Sequence, residues 1–166
     1  MNFYEIQTIS SIYDEVKEIC DDDGWSFYCD FYTKVLPIEL IYKDPFLSWL
    51  YNKYEFRLGA LKMEPNTFYK WHMEGIRGCA INMMASDNSH SHCLFAGKKQ
   101  NESSYYVDEL SYKHKTYYLL NNQKYHCVLN LNTTRYIMTT EFVKHKNELN
   151  YLEVEDFIKN NWNSNT

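Results

Sequence analysis

A chain of 166 residues is long enough to bury one core without disulfides or a structural metal, and short enough to be a single domain. Apolar residues at 45% and aromatics at 17% exclude a disordered chain, and so much Tyr, Phe and Trp suits the half-buried faces of sheets. The 17 Lys and Arg against 22 Asp and Glu give a net charge of −5, so no nucleic-acid partner is expected.

Met1-Asn2-Phe3-Tyr4-Glu5 lacks a basic region followed by an apolar run, so no signal peptide is expected. No stretch approaches the roughly 20 apolar residues that span a bilayer. The five cysteines, at 20, 29, 79, 93 and 127, show no CxxC spacing, which argues against a disulfide framework or a zinc ribbon. A reducing cytoplasm is the expected compartment, that of the host if the source is viral.

Residues 10–20 predict a helix, capped by Ser10 or Ser11, with Ile12, Val16, Ile19 and Cys20 at helical spacing. Residues 25–43 carry no assignable pattern; their aromatics, Trp25, Tyr28, Phe31 and Tyr32, are expected as core covering the barrel, the alternative being a lid or a substrate-facing wall. Asp44-Pro45 predicts a second helix, with Asp44 as cap, Pro45 in the first position, and Phe46, Trp49 and Leu50 on one face. From residue 55 the pattern changes to short runs bounded by Asn, Gly, Ser, Asp or Pro. They cover 55–63, 68–74, 77–84, 91–97, 104–110, 115–121, 125–131 and 135–143. Eight short strands at this spacing predict a mainly β antiparallel sandwich or jelly roll. Asn88-Ser89 reads as a loop entering one of them, and Lys98-Lys99 and Lys113/Lys115 as solvated loop charges. A short helix at 153–162 closes the chain. One domain is expected, with a helical and aromatic flank at 1–54, a core at 55–143 and a helix and tail at 144–166.

The chemistry concentrates in Tyr69-Lys70-Trp71-His72-Met73-Glu74-Gly75-Ile76-Arg77. On an extended strand His72 and Glu74 project from one face. With His126, from a late strand, they would form a two-histidine, one-carboxylate set that leaves open positions on a divalent metal. The bland alternative is a hydrogen-bonded polar pair and a satisfied core histidine. Arg135 begins the next strand, and its planar fork suits a carboxylate if it is buried. Tyr69 and Trp71 read as packing residues. His90-Ser91-His92-Cys93 has alternating spacing but is not expected to bind a second metal, and His114 and His145 read as turn residues.

The run from Lys62 to Asn82, with Pro65-Asn66, Trp71-His72-Met73-Glu74, Arg77 and Ile81-Asn82, resembles the first metal-binding segment of aspartyl/asparaginyl β-hydroxylase-like oxygenases. It is most similar to their short stand-alone phage and bacterial members. The second motif follows as His126-Cys127-Val128-Leu129-Asn130 and then Arg135. The resemblance covers about residues 55–143. It implies a double-stranded β-helix (jelly roll, cupin-like) with a few flanking helices. It also implies that His72, Glu74 and His126 hold Fe(II) as metal ligands and catalytic residues, and that Arg135 pairs with the distal carboxylate of 2-oxoglutarate. Arg77 and Asn82 match family positions that face this cosubstrate or shape the site. With O2, such an enzyme couples oxidative decarboxylation of 2-oxoglutarate to hydroxylation of a protein residue or a small molecule. The family most often has Asp where this chain has Glu74, one methylene longer. Two alternatives stand beside this reading: a cupin-type metalloenzyme with the same metal ligands that does not use 2-oxoglutarate and would not need Arg135, or a non-catalytic β-barrel binding module whose metal site has decayed through Glu74.

Overall fold

The short runs after Glu55 build strands, and the order in which they pair decides the architecture. The computed structural model describes residues 1–86, 90–101 and 104–162. Within them the elements run β1 (Phe3–Ile9), α1 (Tyr13–Asp21), β2 (Ser26–Tyr28), β3 (Phe31–Val35), α2 (Glu39–Lys43), α3 (Pro45–Tyr51), β4 (Phe56–Met63) and β5 (Thr67–His72). They continue as β6 (Cys79–Met84), β7 (Ser91–Asn101), β8 (Ser104–Leu110), β9 (Thr116–Asn121), β10 (His126–Asn130), β11 (Arg135–Phe142) and α4 (Tyr151–Asn161).

All strand pairs are antiparallel. The larger sheet has the order β1-β9-β6-β11-β4-β3-β2 and the smaller β5-β10-β7-β8. From β4 onward the chain crosses between the sheets at every connection but β7 to β8. That path is the double-stranded β-helix. Side-chain alternation on β9 shows how it is packed. Tyr117 and Leu119 enter the core under the helices, while Tyr118 and Leu120 enter the core between the sheets with Phe95, Cys93 and Val128. Helices α1, α3 and α4 therefore cover the outer face of the larger sheet, and the inner face is left for the site.

Several local expectations change. The N-terminal flank is not only helical: β1 pairs with β9, and β3 and β2 extend the larger sheet beyond β4. Helix α1 begins at Tyr13 with Ile12 at its N-cap and no side-chain cap. Ser10 and Ser11 are drawn away, Ser10 to the Tyr117 hydroxyl (2.7 Å) and Ser11 to the Asp44 carboxylate (3.1 Å). Tyr28 is exposed at the β2–β3 hairpin, not buried in the core, whereas Trp25 stacks on Tyr136. Lys98-Lys99 lie in strand β7, not in a loop. Helix α4 starts two residues before the expected point, where the Asn150 side chain caps the Glu153 amide. The loop expected at Asn88-Ser89 lies outside the described residues.

Asp44 does cap its helix, and more. It is buried, with Oδ1 accepting from the Leu47 amide (3.0 Å) and Oδ2 from the Ser11 amide (3.0 Å), the Ser11 hydroxyl and the Tyr117 hydroxyl (2.9 Å). One carboxylate thus ties α3 to the start of α1 and to β9. Asp44→Ala strands these donors in the core, and each buried unsatisfied group costs about 1–3 kcal/mol. We expect a loss of about 3 kcal/mol, read as a lowered urea midpoint with an unchanged slope.

Candidate metal centre

Two ladders place the histidines. In the register of β5 and β10, His126 stands opposite His72, yet Val128 stands opposite Tyr69. Lys70 and Trp71 therefore face Cys127 alone, a β-bulge, and this extra residue lets Tyr69 and His72 turn to the same side although three positions apart. Their rings lie 4.2 Å apart, as do those of His72 and His126. Tyr69 is a packing residue, as expected; Trp71 is not, since its side chain is turned out to solvent. Strand β5 ends at His72, so Glu74 stands on the following loop, not on the strand that the alternation predicts.

Each histidine is oriented by a carbonyl. Nδ1 of His72 lies 2.7 Å from the Lys70 oxygen and Nδ1 of His126 lies 2.8 Å from the Lys124 oxygen. A carbonyl only accepts, so Nδ1 carries the proton and Nε2 presents its lone pair. Nε2 of His72 is buried without a hydrogen-bond partner, 3.8 Å from Glu74 Oε1. The Glu74 carboxylate accepts from Arg77 Nη2 at 2.8 Å. One ligand atom from each of His72, Glu74 and His126 lies within 4.8 Å of the others.

The electrostatics favour a charged carboxylate. Burial pushes the Glu74 acid up, but His72 and Arg77 outweigh it and hold the pKa down at about 2. Burial opposes a charge on His72, yet Glu74 and the Lys70 carbonyl win and raise its pKa. Burial and the neighbouring His72 lower that of His126, against the pull of the Lys124 carbonyl. Two imidazole lone pairs and a carboxylate, one lone pair orphaned, suit a divalent first-row metal.

His72, Glu74, His126, Arg77, Asn82 and Arg135 all line one cavity of about 60 Å³. Arg135, 4% exposed, faces it from the start of β11. Its Nε has no hydrogen-bond partner, its Nη1 reaches only the Met63 sulfur at 3.7 Å, and its guanidinium lies 5.9 Å from the Tyr112 ring centre. Among the described residues it has no carboxylate partner. Asn82 stands opposite Thr139 in the β6–β11 ladder and accepts from its hydroxyl (2.6 Å). Asn130, part of the second motif, is not at the site: its amide donates to the carbonyls of Met63, Glu64 and Thr133 and pins the end of β10 to the β4–β5 turn.

Among the lining residues that sequence reasoning passed over are Tyr112 and Asn122. Tyr112, in the loop after β8, has a buried hydroxyl, and burial raises its pKa. Asn122 sits in the β9–β10 turn. Nothing in Ser111-Tyr112-Lys113 or Asn121-Asn122 separates them from ordinary turn residues. Phe31, expected as core, lines the cavity too, edge-on to Tyr69. A larger cavity of about 470 Å³ shares Tyr112 but contains none of the three ligands, and its charged groups are already paired, Glu109 with His92 and Lys113 with Glu5. His92 is thus engaged in a hydrogen bond with Glu109 (2.6 Å); among the described residues, His72, Glu74 and His126 are the one cluster with the makings of a metal site.

No protein-family model and no curated protein matches this sequence. Solved structures do. The fold is similar to that of a prolyl-4-hydroxylase from Pseudomonas putida, with TM-score 0.62 and 12% identity over 86% of this chain and 92% of that one. It is similar to an oxidoreductase of the 2OG-Fe(II) oxygenase family from Burkholderia pseudomallei, with TM-score 0.59 and 10% identity over 78% and 76% of the two chains. HygX from Streptomyces hygroscopicus, solved with nickel, 2-oxoglutarate and hygromycin B bound, matches with TM-score 0.58 and 8% identity over 84% and 81%. At such identities the likeness shows the shared double-stranded β-helix fold.

Proposed function

We propose that this chain is an Fe(II)/2-oxoglutarate-dependent oxygenase of the aspartyl/asparaginyl β-hydroxylase-like subtype, using O2 to hydroxylate a protein residue or a small molecule. The observation that carries this reading is Arg135, a buried cation with no carboxylate partner among the described residues, in the cavity that holds His72, Glu74 and His126. Such a group calls for an anion from outside. The fold shared with a protein solved with nickel and 2-oxoglutarate supports the choice of a dicarboxylate.

Nε2 of His72, Nε2 of His126 and the Glu74 carboxylate would hold Fe(II). When bound, the metal supplies the redox chemistry that couples decarboxylation of 2-oxoglutarate to insertion of oxygen into a C–H bond. The chain does the rest. Arg77 keeps Glu74 ionised and holds one of its oxygens, which limits the freedom added by the extra methylene. Arg135 binds the far carboxylate of the cosubstrate through its fork, beside the Tyr112 ring. Leu61, Val128 and Ile137 line the same cavity and exclude water from it. Five free thiols fit a reducing cytoplasm, and no described helix is long and apolar enough to cross a membrane.

Anaerobic titration of 2-oxoglutarate into the Fe(II)-loaded protein tests this. A weak, saturable visible charge-transfer band is the expected result. Metal binding without the band favours the cupin-type alternative, and no metal binding at all favours a decayed site.

A further inference from the structure

We infer that Gln123 is a positioning residue of the metal centre, whose side-chain amide fixes the Glu74 loop to the segment that carries His126. The inference rests on the ligand set of the oxygenase reading. Because β5 stops at His72, no sheet ladder holds Glu74, and a ligand on a free loop would wander. The β9–β10 turn replaces the ladder. Gln123 Nε2 donates to the carbonyls of both Glu74 (2.9 Å) and Arg77 (2.8 Å). One primary amide has two N–H donors, and here both are used to bracket the loop at its two charged residues. The Glu74 amide donates to the Asn122 oxygen (2.9 Å), and the Asn122 amide to the Gly78 oxygen (3.2 Å).

The turn is itself held. The backbone N–H of Gln123 donates to Asn121 Oδ1 (3.1 Å), and the carbonyl of Lys124, the next residue, orients His126. The far end of the loop is pinned by the Ile76 carbonyl, which accepts from the Lys146 amide, and by Gly78, where a Cβ would run into the Leu149 carbonyl. Six residues, Asn121 to His126, thus set the position of two ligands against each other: His126 directly, and Glu74 through Gln123. A shift of the loop would carry Arg77 with it and lose both the position and the ion pair of the carboxylate.

Nickel(II) affinity by calorimetry, with thermal unfolding of the metal-free proteins, tests the inference. Gln123→Ala is expected to bind Ni(II) at least about tenfold more weakly, the usual effect of losing an outer-shell contact. Its metal-free midpoint should fall by only about 3 °C, the scale of one partly buried hydrogen-bonding group in a domain of this size. Gln123→Glu, the same shape with acceptors in place of donors, should lose as much affinity. In a Glu74→Ala background, where two histidines still bind Ni(II), adding Gln123→Ala should change affinity by less than about twofold, since coupled residues are not additive. Wild-type affinity in Gln123→Ala, or an undiminished tenfold loss in the Glu74→Ala background, overturns the inference and leaves the oxygenase reading standing. A wild-type protein that binds no Ni(II) overturns that reading, and this inference with it.

Discussion

Arg135→Met is expected to make the metal-free protein more stable and the cosubstrate about a thousandfold harder to bind. The two effects have one cause. Arg135 is 4% exposed with its Nε unsatisfied and no carboxylate among the described residues, so the folded chain bears the cost of desolvating a cation. Replacing a buried charge by an apolar side chain of similar volume is often stabilising by about 1–4 kcal/mol. At about 2–4 °C per kcal/mol for a chain of this size, the thermal midpoint should rise by about 5 °C. A bidentate, desolvated Arg–carboxylate contact is worth about 2–5 kcal/mol, and every 1.4 kcal/mol is tenfold in affinity. Calorimetry of 2-oxoglutarate binding to the Mn(II)-loaded protein reads the second effect. A variant that binds the cosubstrate as before removes the proposed role of Arg135. A variant that is less stable shows instead that the cation has a structural task.

His126→Ala should lower the affinity for Mn(II) by about a thousandfold, because it deletes one of three ligands. The readout has to be a shift, not an absolute midpoint. His126 is buried against Phe95, ring centres 5.4 Å apart, so alanine there also costs packing. A metal that binds only the folded state at a hundred times its dissociation constant adds about 2.7 kcal/mol of stability. Wild type should gain this from Mn(II) and the variant should gain none at the same concentration. Equal shifts would remove His126 from the ligand set.

The strands after residue 55 were legible because most are short apolar or aromatic runs bounded by turn formers. The Asp44-Pro45 helix start was legible because its cap is a local interaction, three residues from carboxylate to amide. Where distant groups compete, local rules misled. Ser11 looks like a cap in its own segment, but Asp44, 33 residues away, takes its amide and hydroxyl. Strand β1 was invisible because its partner β9 lies more than a hundred residues on, and little in Phe3–Ile9 alternates. The proximity of His72 and Glu74 was expected from strand alternation, yet it arises from a bulge at Lys70-Trp71 and a loop tied down from β9–β10.

By itself, the sequence determined the mainly β class, the jelly-roll strand succession and six residues that were to share one site. The class and the strands follow from side-chain period and turn chemistry, and His72, Glu74, His126 and Arg135 from the donor types a divalent metal and a carboxylate require, whereas Arg77 and Asn82 came from the family resemblance alone. Only the tertiary structure decided that all six line a single cavity, that Arg135 lacks an acid partner among the described residues, and that Tyr112, Asn122 and Gln123 belong around them. The reason is that burial and pairing are properties of neighbours brought together by folding. A hydroxyl or an amide carries no mark in the chain of whether its partner will be water, a carbonyl forty-nine residues away, or none.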